Sequence, residues 1–176
     1  LIPVISEMIA TEKLGTNRMR ALMPKLNMFG ESKQLGHYYR PSPDGERILI
    51  GGRRMHKQEN FAKQRLHDGL TEIFPELEHT KIDAYWRGFV AFPFDQLPKL
   101  AVHKGIIYPS GFCGSGTVWA RWLGQKAAFM VLGEAAESAF KNLPMMTLPL
   151  YSGDPWFLPL AMSYYRLRDR FSVSTK

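Results

Sequence analysis

Gly111, Gly114 and Gly116 separate a β-rich run from a long apolar stretch within residues 105–133, GIIYPSGFCGSGTVWARWLGQKAAFMVLG. A strand that feeds a glycine turn and then a helix N-terminus aims several backbone N–H groups at one point. The helix dipole adds partial positive charge there. The chemistry this suits is the holding of an electron-rich or anionic part of a cofactor, with the glycines letting the backbone come close. It is not a Walker-type phosphate loop, because no Gly-Lys-Ser/Thr follows. It departs from the dinucleotide fingerprint, because Trp119 stands where a third glycine is required. Nor is Ser115 spaced as a nucleophile elbow. On residue types alone, a plain tight turn fits as well as a ligand cradle.

The other reactive residue types are dispersed. His37, His56, His67, His79 and His103 form no ligand-spaced pair, so no metal site is expected. Cys113, the single cysteine, stands beside a helix N-terminus, a position that lowers a thiol pKa. No local base accompanies it, and a small packing residue in the turn is the simpler reading. Tyr38, Tyr39 and Arg40 on one strand, and Trp86 and Arg87 on another, can line a pocket or fill a core. No carboxylate pair stands out for acid–base work.

The elements that must position these groups follow from local pattern. Residues 1–11 read as a strand. Thr16 can cap a short helix carrying Met19, Leu22 and Met23 that stops near Pro24. Runs 35–40 and 47–53 flank Pro41-Ser42-Pro43-Asp44-Gly45 and predict a hairpin. Ala62, Leu66, Leu70 and Ile73 share one face of a helix from about Asn60, ended by Pro75. Residues 80–92 form a further strand, followed by a Pro93–Pro98 loop and a strand near Gly105–Tyr108. The helix from Gly116 carries Trp119, Trp122, Leu123, Ala127, Met130 and Val131, with enough apolar residues elsewhere to predict burial on several sides. A last helix is expected from Asp154-Pro155. Antiparallel strand pairs with helices between them make the fold class α+β, an antiparallel sheet with flanking helices.

Bulk properties narrow the function. With 176 residues, 45% hydrophobic and 22% charged, the chain is of ordinary globular composition, and disorder is expected only in the last residues, SVSTK. The net charge of +7 permits anionic partners. However, the basic residues are scattered, with short pairs such as Arg53-Arg54, and nucleic acid is not expected as a partner. One cysteine excludes an internal disulfide and fits a reducing, cytoplasmic setting. No run approaches the ~18 apolar residues of a membrane span.

Taken in order, LIPVISEMIATEKL, YYRPSPDGERILIGGR, FPEL, YWRGFVAFPFDQLP and the 105–133 unit resemble the carboxy-terminal half of the D-amino-acid-oxidase-type FAD-dependent oxidoreductases. The amine and gamma-glutamylputrescine oxidases are the branch they are most similar to. The tail GDPWFLPLAMSYYRLRD is similar to the ending of such proteins.

The resemblance implies FAD as cofactor. It also implies a small-molecule amine or amino-acid-like substrate and hydride transfer from a C–H beside nitrogen to the flavin. The family's G-[FY]-x-G-x-G turn matches Gly111, Phe112, Cys113, Gly114, Ser115 and Gly116, and Thr117 opens the helix; these residues would approach the flavin. Ser115 stands where related amine oxidases often carry His. The family's W-x-G and D-x-x-P segments match Trp86, Gly88, Asp95 and Pro98. Val90 occupies the position of an arginine that pairs a substrate carboxylate in amino-acid-oxidising members, which favours an amine. Tyr39 and Trp86 are the further pocket residues implied; no catalytic base is identified.

The family's amino-terminal G-x-G-x-x-G region is not in this sequence, and the first residue is not Met. The chain therefore reads as a fragment, with residues 1–100 a substrate-domain portion, 101–135 a strand–turn–helix returning to the FAD domain, and 136–176 a tail and helix. The expected partner is the missing FAD-binding half or a partner subunit. The rival expectation is a non-catalytic fragment or interaction subunit without flavin.

Overall fold

The alternation of the first residues builds β1 (Ile2–Thr11), in which Glu7, Ile9 and Thr11 are buried and Ser6 and Met8 are only partly covered. A computed structural model describes residues 1–53 and 58–173 of the chain. Arg54 and His56 of the sequence reading, and residues 174–176 of the expected disordered tail, lie outside the described residues.

The remaining elements are α1 (Thr16–Leu22), β2 (Phe29–Gly30), β3 (Tyr38–Pro41), β4 (Ile48–Arg53), α2 (Glu59–Ile73), β5 (Ile82–Phe92), β6 (Lys99–His103), β7 (Ile106–Ser110), α3 (Gly116–Val131) and α4 (Leu158–Val173). The fold is α+β, with a five-stranded sheet in the order β2-β3-β4-β1-β5 and a separate hairpin of β6 and β7. β1 pairs β4, β4 pairs β3 and β3 pairs β2, all antiparallel. Two units emerge. One comprises Leu1–Val4 with Phe89–Trp156, the other Ile5–Gly88 with Phe157–Lys176.

In the second unit, one sheet face carries Ile9, Ile48 and Ile50 against Leu66 and Leu70 of α2, with Met19, Met23, Phe74 and Leu77 completing the core. The expected stripe on α2 is thus in place: Ala62, Leu66 and Leu70 are buried. The β3–β4 hairpin turns where expected. The Gly45 N–H donates to Ser42 O at 2.9 Å, and the Ser42 hydroxyl donates to Asp44 while accepting the Arg47 N–H. Thr11 Oγ1 accepts the Ile48 N–H at 3.1 Å, which explains how a buried hydroxyl is tolerated at the end of β1.

In the first unit, β6 was not foreseen. Its two-residue connection to β7, Lys104-Gly105, has both residues at positive φ, the geometry of a tight hairpin turn that favours glycine second. α1 begins after Gly15 and has no side-chain cap, so Thr16 does not cap it; Thr16 is already its first helical residue. α4 starts at Leu158 rather than at Asp154-Pro155. Pro159 falls in its first turn, where a missing N–H costs nothing. Pro155 instead lies in a turn in which the Trp156 N–H donates to Asp154 O. The expected burial of α3 on several sides is also corrected. Only Leu123 of this helix is buried, while Val118 and Val131 are well exposed. The helix is covered along one line by a cluster of Trp119, Trp122 and Phe140, with ring centroids 5.0–6.3 Å apart.

Candidate functional site

The strand–turn–helix unit has the geometry its glycines predict. β7 ends at Ser110, Gly111 is buried at φ +72°, and α3 begins at Gly116. A Cβ on Gly111 would lie 2.4 Å from Pro93 Cγ, so this glycine exists to let the turn close on the 93–98 loop. Gly114, at φ +93°, has a different role: the nearest atom to an added Cβ is Val90 Cγ1 at 3.9 Å. Cys113, at φ +52°, is a non-glycine residue in the left-handed region. Its N–H donates to Ala91 O at 3.2 Å, and its thiol lies within 3.5 Å of Gln96 O and Gly111 O.

The turn's amides divide into two sets. Cys113 donates to Ala91 O and Ser115 to Phe112 O, and Val118 and Trp119 both donate to Ser115 O. Among the described residues, the N–H groups of Gly114, Gly116 and Thr117 have no such acceptor. No acidic residue occupies the first turn of α3, and Ser115 makes no side-chain cap. Among the described residues, the positive end of the helix dipole is therefore uncompensated, and an electron-rich ligand group would be stabilised there.

The loop behind the turn rests on a buried cation. Lys99 is 1% exposed, and its Nζ donates to Asp95 Oδ2. Asp95 Oδ1 accepts the Leu97 N–H at 3.2 Å. The hydrogen bond from Lys99 holds the Asp95 carboxyl below the usual carboxylate range. The D-x-x-P segment thus shapes the loop against which Gly111 packs.

In the second unit the register settles the fate of neighbouring tyrosines. Tyr39 stands opposite Ile50, which stands opposite Ile9. It packs on the core, 5.3 Å from Phe29 and 5.5 Å from Phe74 between ring centroids. Tyr39 is therefore placed as a core residue. Tyr38 alternates to the other face. There its hydroxyl reaches Ser6 Oγ at 2.6 Å across Gly51, where a Cβ would lie 2.7 Å from both the Tyr38 ring and Met8 Cγ. Trp86 is exposed next to Tyr85, whose hydroxyl donates to buried Glu7. Strand alternation therefore sets Trp86 on the face away from Glu7. Sequence reasoning passed over Ser6 and chose Tyr39 over Tyr38. The available signal was parity: Tyr39 is two residues from Pro41 and shares a face with it, whereas Tyr38 is in register with Gly51.

Of the described histidines, His37 alone sits in a polar network. Its backbone N–H donates to Glu31 Oε2 at 2.7 Å, and its ring Nε2 is 3.3 Å from Arg65 Nη1. The ring packs on Gly69 of α2, where a Cβ would lie 2.4 Å away. Burial, and then the Arg65 charge, push His37 below its usual pKa despite Glu31. Among the described residues no His/Cys/Asp/Glu group could hold a metal ion, and no helix is long and apolar enough to cross a membrane.

An antiparallel sheet unit and a hairpin–glycine turn–helix unit together define a class, and comparison with solved structures gives the same one. The fold matches glycine oxidase from Geobacillus kaustophilus with TM-score 0.61 at 19% identity, over 85% of this chain and 40% of that one. It matches iminodiacetate oxidase from Chelativorans with TM-score 0.58 at 16% identity, over 82% and 40%. This is the fold of the carboxy-terminal part of D-amino-acid-oxidase-type enzymes.

No protein-family model matches the chain. Among curated proteins, it is 29% identical over 179 residues to the gamma-glutamylputrescine oxidoreductase of Escherichia coli. It is 31% identical over 157 residues to the probable oxidoreductase OrdL of Rhizobium meliloti. In sequence as in fold, the chain is similar to the carboxy-terminal part of these D-amino-acid-oxidase-type oxidoreductases. The alignments take in 98% and 85% of the chain but 41% and 36% of those proteins, so the chain spans about two fifths of their length.

Proposed function

We propose that this chain is the carboxy-terminal part of an FAD-dependent oxidoreductase that oxidises a C–N bond of an amine or amino-acid-like substrate. The observation that carries the reading is the turn at Gly111–Thr117. Three N–H groups without acceptors, an uncompensated helix N-terminus and the open space beside Gly114 together fit an electron-rich cofactor edge. Residues Gly111, Phe112, Cys113, Gly114, Ser115, Gly116 and Thr117 would hold the flavin part of FAD, with Val90 bordering the turn at Gly114. Bound FAD supplies the hydride acceptor; the chain's own residues orient and desolvate the substrate. Residues 101–135 would form the strand–turn–helix that returns to an FAD-binding domain, following a substrate-domain portion at 1–100 and preceding a tail at 136–176.

On the sheet unit, Trp86 and the Tyr38–Ser6 hydroxyl pair form the substrate-facing surface, with Tyr38 in the role that Tyr39 was expected to fill. Two hydroxyls and an aromatic ring suit a protonated or neutral amine, which donates hydrogen bonds and is attracted to ring faces. Val90 offers no charge for a carboxylate, in keeping with an amine. The partner is an amino-terminal dinucleotide-binding half, on the same chain or another. The exposed side chains of α3, Val118 and Val131, favour such a partner and equally allow a second reading, an interaction subunit that binds no flavin.

The test is flavin fluorescence during titration of FAD into the chain, alone and joined to an amino-terminal dinucleotide-binding half. The expected result is saturable quenching in the joined form, weakened at least tenfold by Gly114→Val. Absence of quenching in both forms would support the flavin-free interaction subunit instead.

A further inference from the structure

His37 joins the segment between β2 and β3 to α2, and that segment in turn holds α4. At its base, the His37 C=O accepts the Glu31 N–H at 2.9 Å, and the His37 N–H donates to Glu31 Oε2 at 2.7 Å. The His37 ring lies over Gly69 of α2. At its tip, the N–H groups of Gln34 and Leu35 donate to the two carboxylate oxygens of Asp169 on α4, both at 2.9 Å. β4 ties base to tip: Arg53 O accepts Arg65 Nη2, and Arg53 Nη1 donates to Gln34 O. The neighbours of the ring also fix its proton. A guanidinium only donates, so His37 Nε2, 3.3 Å from Arg65 Nη1, is the acceptor. The neutral ring then carries its proton on Nδ1, 3.4 Å from Glu31 Oε2. An imidazolium is protonated at both nitrogens, so neither orientation of the ring leaves an acceptor for Arg65.

We propose that His37 is the trigger of a proton-operated latch on α4. Neutral His37 seats the 31–37 segment on α2, and Gln34 and Leu35 then grip Asp169. Protonated His37 lifts the segment from α2, and the grip on α4 is lost. The charged groups around the ring are Arg65 and Glu72 on α2 and Glu31 and Lys33 on its own segment. Arg65 in turn faces Glu7 of β1 and Arg166 of α4. Burial, and then the Arg65 charge, oppose a proton on the ring more strongly than Glu31 and Glu72 favour it. The proton therefore enters as the segment opens. One proton taken up on opening raises the open population by up to about tenfold per pH unit below about 6.5. Each contact of the relay belongs to the sheet unit, so the latch is separate from the flavin reading and needs neither cofactor nor substrate.

The test is amide hydrogen exchange of the full chain between about pH 7.5 and about pH 5, with each rate corrected for the intrinsic pH dependence of exchange. Protection of the Gln34 and Leu35 amides is expected to fall roughly tenfold or more across that range. Protection of Ile9 and Ile50, in the middle of the sheet, should hold. His37→Gln takes up no proton, and its side-chain oxygen can still accept from Arg65. This variant should keep Gln34 and Leu35 protected throughout. Asp169→Ala should leave the two amides unprotected at every pH, which ties the signal to the grip on α4. An equal loss at Ile50 would mean unfolding of the whole unit and would overturn the proposal. So would protection of Gln34 and Leu35 that persists until carboxylates titrate, near about pH 4, or an unaltered pH profile in His37→Gln.

Discussion

Replacing each turn glycine by alanine separates three physical roles that one motif compresses. At Gly111 the added Cβ meets Pro93 Cγ at 2.4 Å and Cδ at 2.9 Å, on a backbone at φ +72°. A proline ring cannot swing aside, so overpacking of about 1–3 kcal/mol adds to left-handed strain of about 1–2 kcal/mol. Gly111→Ala should therefore cost about 2–5 kcal/mol. At Gly114 the φ is +93° but the nearest atom is 3.9 Å away, leaving the strain of about 1–2 kcal/mol alone. At Gly116 the φ is not in the left-handed region and Phe112 Cδ2 stands at 3.7 Å. Alanine there should stabilise α3 by about 0.5–1 kcal/mol. Urea unfolding followed by the fluorescence of Trp119 and Trp122 reads the unit concerned. The order Gly111→Ala below Gly114→Ala below wild type below Gly116→Ala is expected. Gly111→Ala as stable as wild type, or Gly114→Ala the worst of the three, would refute the division between a packing glycine and an open one.

Three further outcomes are expected. His37 is held below its ordinary pKa by burial, and Glu31 is also lowered, burial being outweighed by the His37 N–H and Lys33. For both groups the unfolded chain takes up protons first. Stability should therefore fall as pH drops below about 6.5 and continue to fall into the carboxylate range, and His37→Gln should flatten the upper part of that profile in pH-dependent melting. Asp95→Asn removes the charge opposite buried Lys99 and should cost about 3 kcal/mol in urea unfolding, with Lys99→Met in the same chain recovering most of it. Tyr39→Ala should cost about 3 kcal/mol by removing a ring from the core, whereas Tyr38→Ala should cost well under 1.5 kcal/mol, measured in one unfolding series.

Much of the architecture was legible because local pattern and tertiary demand agree. The α2 stripe Ala62/Leu66/Leu70 and the Pro-Asp-Gly hairpin each follow from period or turn chemistry, and both occur where expected. The misses arose where the deciding atoms are remote in sequence. Thr16 is a good capping residue, yet the chain enters α1 through Gly15 in a left-handed conformation that leaves the threonine inside the helix. β6 hid behind Pro93 and Pro98, because its short apolar run Leu100-Ala101-Val102 is bracketed by Lys99 and His103 and starts with a buried lysine; Asp95 makes that lysine tolerable. Tyr38 and Tyr39 are indistinguishable by type, and only the register with Gly51 and Ile50 separates them. The turn's free amides were legible as a possibility. Their availability depends on Ala91 taking the Cys113 N–H, a contact no motif encodes.

The clasp between Asp169 and the amides of Gln34 and Leu35 joins residues 135 and 134 positions apart. While the chain is being synthesised, the segment that carries β2 and leads into β3 must wait for a residue 134 positions beyond Leu35 before this restraint exists. A sheet edge finished so late spends the longest time open to wrong pairing. Removal of α4 would therefore be felt first at the β2–β3 edge of the sheet, not at the cut.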